Sequence, residues 1–214
     1  MEDRKDRYIR EHSTALPEAL EWLKKQTNIH TNYPRMLSGE VQGQFLKMLV
    51  EMTSARNVLE IGAFTGYSST CMALGLPRDG HIDTLEINDE LEYLMRGCWD
   101  RAGVSGKISL HLGDACETLR TFAASGNKEY DFVFIDANKR EYELYLELVR
   151  DMVRPGGIIV ADDTLWDGKV YEENPSTDAQ TRALVAFNDK VVSDPALEVV
   201  MLPLRDGLTV IRKR

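Results

Sequence analysis

Val58-Leu-Glu-Ile-Gly-Ala-Phe-Thr-Gly-Tyr-Ser68 is the stretch that decides the fold of this chain. Val58 to Gly62 is an apolar run ending at glycine, which predicts a buried strand stopped by a tight turn. Gly62 and Gly66 let the backbone turn sharply and approach a ligand closely. Their spacing is G-x-x-x-G, so the G-x-G-x-x-G fingerprint of dinucleotide sites is absent. A bare tight turn would carry the same two glycines, so the surrounding chain has to say what the turn serves.

Outward from this turn, apolar runs predict further strands over 81–88, 107–113, 130–136 and 157–161. Runs with so little polar alternation fit a parallel sheet covered on both faces. Between them lie helical stripes, one of Leu91, Leu94, Cys98 and Ala102, another of Tyr142, Tyr145, Val149 and Met152. Gln180, Ala183, Leu184, Phe187 and Val191 make a third, explained by packing. Arg154-Pro155-Gly156-Gly157 supplies a helix stop before the fifth strand. The end of the chain differs: 197–204 and 208–211 read as two strands joined around Arg205-Asp206-Gly207.

The expected fold is α/β, a Rossmann-like, mostly parallel seven-stranded sheet with helices on both faces and a C-terminal antiparallel hairpin. One domain over 1–214 is expected, with 1–55 a helical N-terminal cap and 56–214 the Rossmann-like core. In the cap, Val41, Phe45, Met48 and Met52 are expected to share the buried face of a helix.

The net charge of −9 argues against a nucleic-acid partner, because affinity for phosphate backbones comes largely from Lys and Arg replacing counterions. The charged start carries no secretory signal, and no run reaches the ~20 apolar residues needed to span a bilayer. Three scattered cysteines, Cys71, Cys98 and Cys116, read as reduced core thiols. A cytoplasmic chain without a membrane partner is the expectation. The four histidines show no clustering.

Acids close the predicted strands. Glu86 ends the second, where a carboxylate can accept both hydroxyls of a ribose; an NAD site would show the same acid. Gly113-Asp114-Ala115 ends the third, where a carboxylate or backbone groups can meet an adenine edge. Phosphate-bearing dinucleotides prefer helix N-termini and basic groups. S-adenosylmethionine carries a sulfonium and no phosphate, so acids favour it.

The fourth strand ends Ile135-Asp136-Ala-Asn-Lys139 and the fifth Ala161-Asp-Asp-Thr-Leu-Trp166. On neighbouring parallel strands, Asp136, Asp162 and Asp163 can converge, and oxygen ligands suit a hard cation such as Mg²⁺, with Mn²⁺ or Ca²⁺ as alternatives. Adjacent strand residues face opposite ways, so the strand must break at the Asp162–Asp163 pair. The bland alternative is that these acids cap helices or are solvated. Lys139, near a helix start and a dication, is expected to be pushed toward its neutral, basic form. Alternatively its flexible stem lets the charge escape into water.

Leu59-Glu-Ile-Gly-Ala-Phe-Thr-Gly-Tyr-Ser68, with Glu86 and Gly113-Asp-Ala115, resembles the cofactor signature of class I methyltransferases. More narrowly, the chain resembles the cation-dependent family that includes caffeoyl-CoA O-methyltransferase and animal catechol O-methyltransferase. The resemblance implies a methyltransferase domain that binds S-adenosyl-L-methionine through Ser38, Glu60, Gly62, Ala63, Ser68, Glu86 and Ala115. Ser68 would bind its carboxylate and Glu86 its ribose. Asp114, Asp136 and Asn138 join the cofactor set, although 138 is often acidic in the family. By the same resemblance Asp136, Asp162 and Asp163 ligate a divalent metal, Lys139 is the general base, and Asp136 and Lys139 carry the catalysis. The family usually has Asn where this chain has Asp163. An additional carboxylate there should tighten metal binding.

The implied acceptor is a small phenolic or other vicinal-hydroxyl aromatic, and the implied assembly a homodimer. Trp166-Asp-Gly-Lys-Val-Tyr-Glu-Glu-Asn-Pro175 is expected to form a loop over the substrate. Trp166 either stacks on an aromatic ring or anchors the loop, and Asp167 aligns with a substrate contact of the family. Alternatives are a metal-independent small-molecule methyltransferase of the same fold, a nicotinamide dehydrogenase, disfavoured by its missing fingerprint, and a silent cofactor-binding module.

Overall fold

The computed structural model describes residues 3–173 and 178–214. Seven strands, β1 (Asn57–Ile61), β2 (His81–Glu86), β3 (Ile108–Leu112), β4 (Tyr130–Ile135), β5 (Val153–Asp162), β6 (Leu197–Leu202) and β7 (Leu208–Lys213), form one sheet. Their order is β3-β2-β1-β4-β5-β7-β6. β1 pairs parallel with β4 and β4 with β5, whereas β7 lies antiparallel between β5 and β6. The mostly parallel sheet and its closing hairpin are therefore as the sequence predicts. The order reverses at β1, since β2 and β3 lie on one side of it and β4 on the other. In such sheets ligands bind beyond the carboxyl ends of the strands at that switch point.

The helices are α1 (Arg4–Glu11), α2 (Glu18–His30), α3 (Glu40–Met52), α4 (Tyr67–Gly75), α5 (Glu92–Ala102), α6 (Ala115–Ser125), α7 (Tyr142–Arg150) and α8 (Ala179–Ser193). Two compact units arise from the chain, one of 1–56, 63–82 and 88–109, the other of 57–62, 83–87 and 110–214.

In the first unit, α2, α3, α4 and α5 bury Leu20, Leu23, Leu46, Val50, Met72, Leu94, Cys98 and Trp99. The face of α3 differs from expectation. Gln42, Gly43, Leu46 and Val50 point inward, while Met48 and Met52 are exposed. The cause is helix packing: a Cβ on Gly43 would lie 2.7 Å from Cys71 Sγ, and one on Gly75 would lie 2.5 Å from the Lys47 carbonyl oxygen. These two glycines seat α3 against α4, which turns the Met48–Met52 stripe outward.

In the second unit, β4 carries Phe132, Val133, Phe134 and Ile135 with no exposure, as a strand covered on both faces requires. Around it gather Leu59, Ile61, Tyr142, Leu146, Ile159, Leu184, Phe187 and Ile211. Each such side chain contributes roughly 1.5–3 kcal/mol by leaving water. The stripes on α7 and α8 fall on this core. The segment read as a helix stop before the fifth strand lies instead within β5. Tyr130 pairs with Val153 but Phe132 with Ile158, so Arg154-Pro155-Gly156-Gly157 is a bulge. Gly156, at φ +77°, turns the strand there, and Pro155, which has no N–H to donate, fits such a bulge.

Candidate active site

At the switch point the backbone is drawn tight. Gly62 N–H donates to the Leu85 carbonyl (2.9 Å) and Asp136 N–H to the Ile61 carbonyl (2.9 Å), which ties the ends of β1, β2 and β4 together. Gly62 has φ +94°, and a Cβ on it would stand 2.1 Å from the Asp136 carbonyl oxygen. Only glycine fits. Glu60 is wholly buried and its Oε2 accepts from Thr84 Oγ1 (3.0 Å), while Glu86 ends β2 nearly buried.

Asp114 and Asn138 are exposed at the turns after β3 and β4. Asp114 Oδ1 accepts from Glu117 N–H (2.9 Å) and Asn138 Oδ1 from Arg140 N–H (3.3 Å), so both serve as helix caps. Ala115 is the first residue of α6. In the other unit, Ser38 and Ala63 are buried, and Ser68 is buried in the first turn of α4, which Gly66 opens at φ +87°.

β4 and β5 end in the acids singled out by sequence. β5 stops at Asp162, and Asp163 takes φ +56°, so the strand breaks at this pair, as it must if both adjacent aspartates are to face one ion. Lys139 lies in a 3₁₀ turn between β4 and α7 and is 5% exposed, which rules out escape of its charge into water. Its Nζ meets Asp136 Oδ1 at 2.8 Å, Asp163 Oδ2 at 2.9 Å and the Tyr142 hydroxyl at 2.7 Å. Tyr142 in turn donates to the Asp162 carbonyl (3.0 Å).

Burial disfavours the ammonium of Lys139, but Asp136, Tyr142 and Asp163 outweigh it and hold its pKa well above the ordinary lysine value. Two carboxylates facing it directly favour its charged form. Of the three acids, Asp136 and Asp163 converge on Lys139 Nζ, at 2.8 and 2.9 Å. Among the described residues no group of three His, Cys, Asp or Glu side chains is placed to hold a metal. Asp162 Oδ1 instead accepts from Asp163 N–H (2.9 Å).

The segment after β5 is tied to the β6–β7 turn. Thr164 N–H donates to the Gly207 carbonyl (3.1 Å), Leu165 N–H to the Asp206 carbonyl (2.8 Å) and Asp167 N–H to Asp206 Oδ1 (2.5 Å). Burial, together with nearby Asp163 and Asp167, raises the Asp206 pKa. Trp166 packs against the core cluster with Lys169 Nζ 5.6 Å above its ring, which favours its anchoring role. Asp167 is exposed. Of the loop expected over 166–175, Asn174 and Pro175 lie outside the described residues.

Tyr142 and Asp206 were not singled out as site residues by the sequence. Tyr142 belongs to a packing stripe, and Asp206 is an ordinary turn residue until the turn meets the loop after β5.

This sheet order, with a glycine turn after β1 and acids closing β2, β4 and β5, defines a class I methyltransferase. The family model described as O-methyltransferase matches residues 10–214. Caffeoyl-CoA O-methyltransferase 1 of Arabidopsis thaliana is 36% identical over 92% of this chain and 78% of its own length. A probable caffeoyl-CoA O-methyltransferase of Dictyostelium discoideum is 34% identical, covering 96% and 90%. Among solved structures, the O-methyltransferase from Bacillus cereus in complex with SAH superposes with a TM-score of 0.90 at 28% identity, covering 98% of this chain and 97% of that one. The chain belongs to the O-methyltransferase family. It is an S-adenosylmethionine-dependent enzyme.

Proposed function

We propose that this enzyme methylates a hydroxyl of a small vicinal-dihydroxy aromatic, with a divalent cation, Mg²⁺ foremost, held by Asp136, Asp162 and Asp163. The observation that carries the reading is the convergence of Asp136 Oδ1 and Asp163 Oδ2 on one cationic nitrogen, at 2.8 and 2.9 Å. Carboxylates from the ends of two neighbouring strands thus already aim at a single positive centre, and their hard oxygens suit Mg²⁺, Mn²⁺ or Ca²⁺. Asp162 completes the set by turning its side chain from the Asp163 amide. When bound, the cation would lower the pKa of a chelated phenol from its free value of ~10.

Lys139 is the base in this reading. While Asp136 and Asp163 face it, the amine stays protonated. With those carboxylates holding a divalent cation instead, burial would favour the neutral amine, which could accept the phenolic proton. The hydroxyl of Tyr142, 2.7 Å from Lys139 Nζ, holds the amine in place through the exchange. Glu60, Gly62, Glu86 and Ala115 would bind the S-adenosylmethionine at the strand ends. The caps made by Asp114 and Asn138 leave the neighbouring backbone to meet it. The bound cofactor would supply the methyl group to the phenolate and leave as the thioether, and holding the two partners in near-attack geometry would supply much of the acceleration. Asp167 would border the acceptor, on a loop that Trp166 anchors.

We further propose that the two units act as one domain, as a cytoplasmic homodimer, with no nucleic-acid partner. Among the described residues no helix is long and apolar enough to cross a membrane.

The test is turnover of catechols with Mg²⁺ and with excess chelator, in the natural chain and in Lys139→Ala. Activity should vanish with the chelator, and Lys139→Ala should lower kcat at least a hundredfold, in the range of a positioned general base, with little change in cofactor affinity. Full activity in chelator would replace this reading with a metal-independent one.

A further inference from the structure

Thr164 to Gly168 is held in a conformation that its own residues do not favour. Asp163, Trp166 and Asp167 all have left-handed φ, at +56°, +50° and +53°, and none is glycine. Such residues cost roughly 1–3 kcal/mol each and persist only where the surroundings over-determine them. The over-determination here comes from the β6–β7 turn. That turn supplies three acceptors to three amides of the segment, of which one is a side chain, Asp206 Oδ1, on Asp167 N–H at 2.5 Å. It is also interlocked sterically, since a Cβ on Gly207 would stand 2.5 Å from Leu165 Cγ and 2.6 Å from Leu165 N. The first residue of the segment is held from two further sides, since Asn188 Nδ2 donates to the Thr164 carbonyl (2.9 Å) and Thr209 Oγ1 to Thr164 Oγ1 (2.8 Å). Asp206 thus grips the amide of the residue proposed to border the acceptor, four residues beyond an acid that pairs with Lys139.

We propose that Asp206 is a positioning residue for the methyl transfer. Through its carboxylate on the Asp167 amide it fixes the strained 163–167 backbone, and so orients Asp163 toward the cation and Asp167 toward the acceptor. The inference rests on the catechol reading of the site, and it adds a residue of the C-terminal hairpin that touches no reacting atom.

The experiment uses the full chain with Asp206→Ala and Asp206→Asn. It measures hydrogen exchange at the Asp167 amide, Mn²⁺ affinity by electron paramagnetic resonance, catechol KM and S-adenosylmethionine affinity. Loss of a hydrogen bond to a charged acceptor corresponds to roughly tenfold or more. Asp206→Ala should therefore speed exchange at Asp167 and raise both the catechol KM and the Mn²⁺ Kd about tenfold, with cofactor affinity unchanged. Asp206→Asn keeps an oxygen acceptor and should restore all of these to within about threefold, since a neutral bond is the weaker one. A uniform loss that includes cofactor binding, unchanged KM and Mn²⁺ affinity in the alanine chain, or an asparagine chain as impaired as the alanine one would each overturn the inference.

If the alanine chain does not fold, Asp206→Glu, which displaces the carboxylate by one methylene, should raise KM likewise; natural behaviour there overturns the inference too. If the natural chain neither binds Mn²⁺ nor turns over catechols, the catechol reading is what fails. Exchange at Asp167 still tests the grip of Asp206.

Discussion

Gly62→Ala sets two costs against each other in one position. The first is conformational: at φ +94° an L side chain pays about 1–2 kcal/mol for left-handed backbone. The second is steric. The new methyl would sit 2.1 Å from the Asp136 carbonyl oxygen and 2.8 Å from its carbon. An ordinary C···O contact is about 3.3 Å or more, so the overlap exceeds an ångström, and the obstacle is backbone that cannot rotate away. The ends of β1 and β4 must part, which strains the Asp136 N–H bond to Ile61, and overpacking of this kind adds about 1–3 kcal/mol. The expected loss is therefore about 2–5 kcal/mol.

Gly103→Ala is the internal control, because Gly103 has φ +68° with nothing within 4 Å of a built Cβ. It should lose only the conformational cost, about 1–2 kcal/mol. Urea unfolding with linear extrapolation compares the two, and calorimetric titration with S-adenosylmethionine should show at least a tenfold loss of affinity for Gly62→Ala alone. If the two variants lie within about 0.5 kcal/mol and both bind cofactor normally, the close approach at Gly62 is not what shapes the site.

Asp83 is buried at the sheet, where bonds from His111, Lys128 and Tyr130 outweigh desolvation and hold its carboxyl well below the usual range. A depressed folded-state pKa means stability that is full above the unfolded value near 3.9 and lost as pH falls below it, so Asp83→Asn should cost about 2 kcal/mol at pH 7 and flatten the acid limb of the stability curve; parallel limbs would refute this. Burial pushes the Cys98 thiol up to about 11, so in the native protein iodoacetamide at pH 8 should leave it unmodified until urea unfolds the chain; rapid native labelling would contradict the packing of α5. Asp163→Asn removes one carboxylate from the proposed cation site and should weaken Mn²⁺ binding about tenfold or more, and an unchanged titration would reject its role as a ligand.

Local chemistry in the sequence determined a good deal. Val58–Gly62 and Tyr130–Asp136 are nearly continuous apolar runs, interrupted inside by Glu60 and Asp131, so strands buried on both faces are the way to remove them from water, and Arg205-Asp206-Gly207 favours a turn. From these came the sheet, the hairpin and the acids at the strand ends, since a strand's end is set by where its apolar run stops. Tertiary contact decided the rest. Val41, Phe45, Met48 and Met52 are as apolar as the residues that α3 buries, and only the docking of Gly43 and Gly75 between α3 and α4 chose the other face. Arg154-Pro155-Gly156-Gly157 carries breaker residues that serve equally as a helix stop or a strand bulge, and pairing with β4 selected the bulge. The charge state of Lys139 depended on which carboxylates reach it, a matter of side-chain direction that spacing along the chain does not encode. Asp206 lies 39 residues from the amide it holds, and no local pattern joins two positions that meet only when β7 pairs with β5.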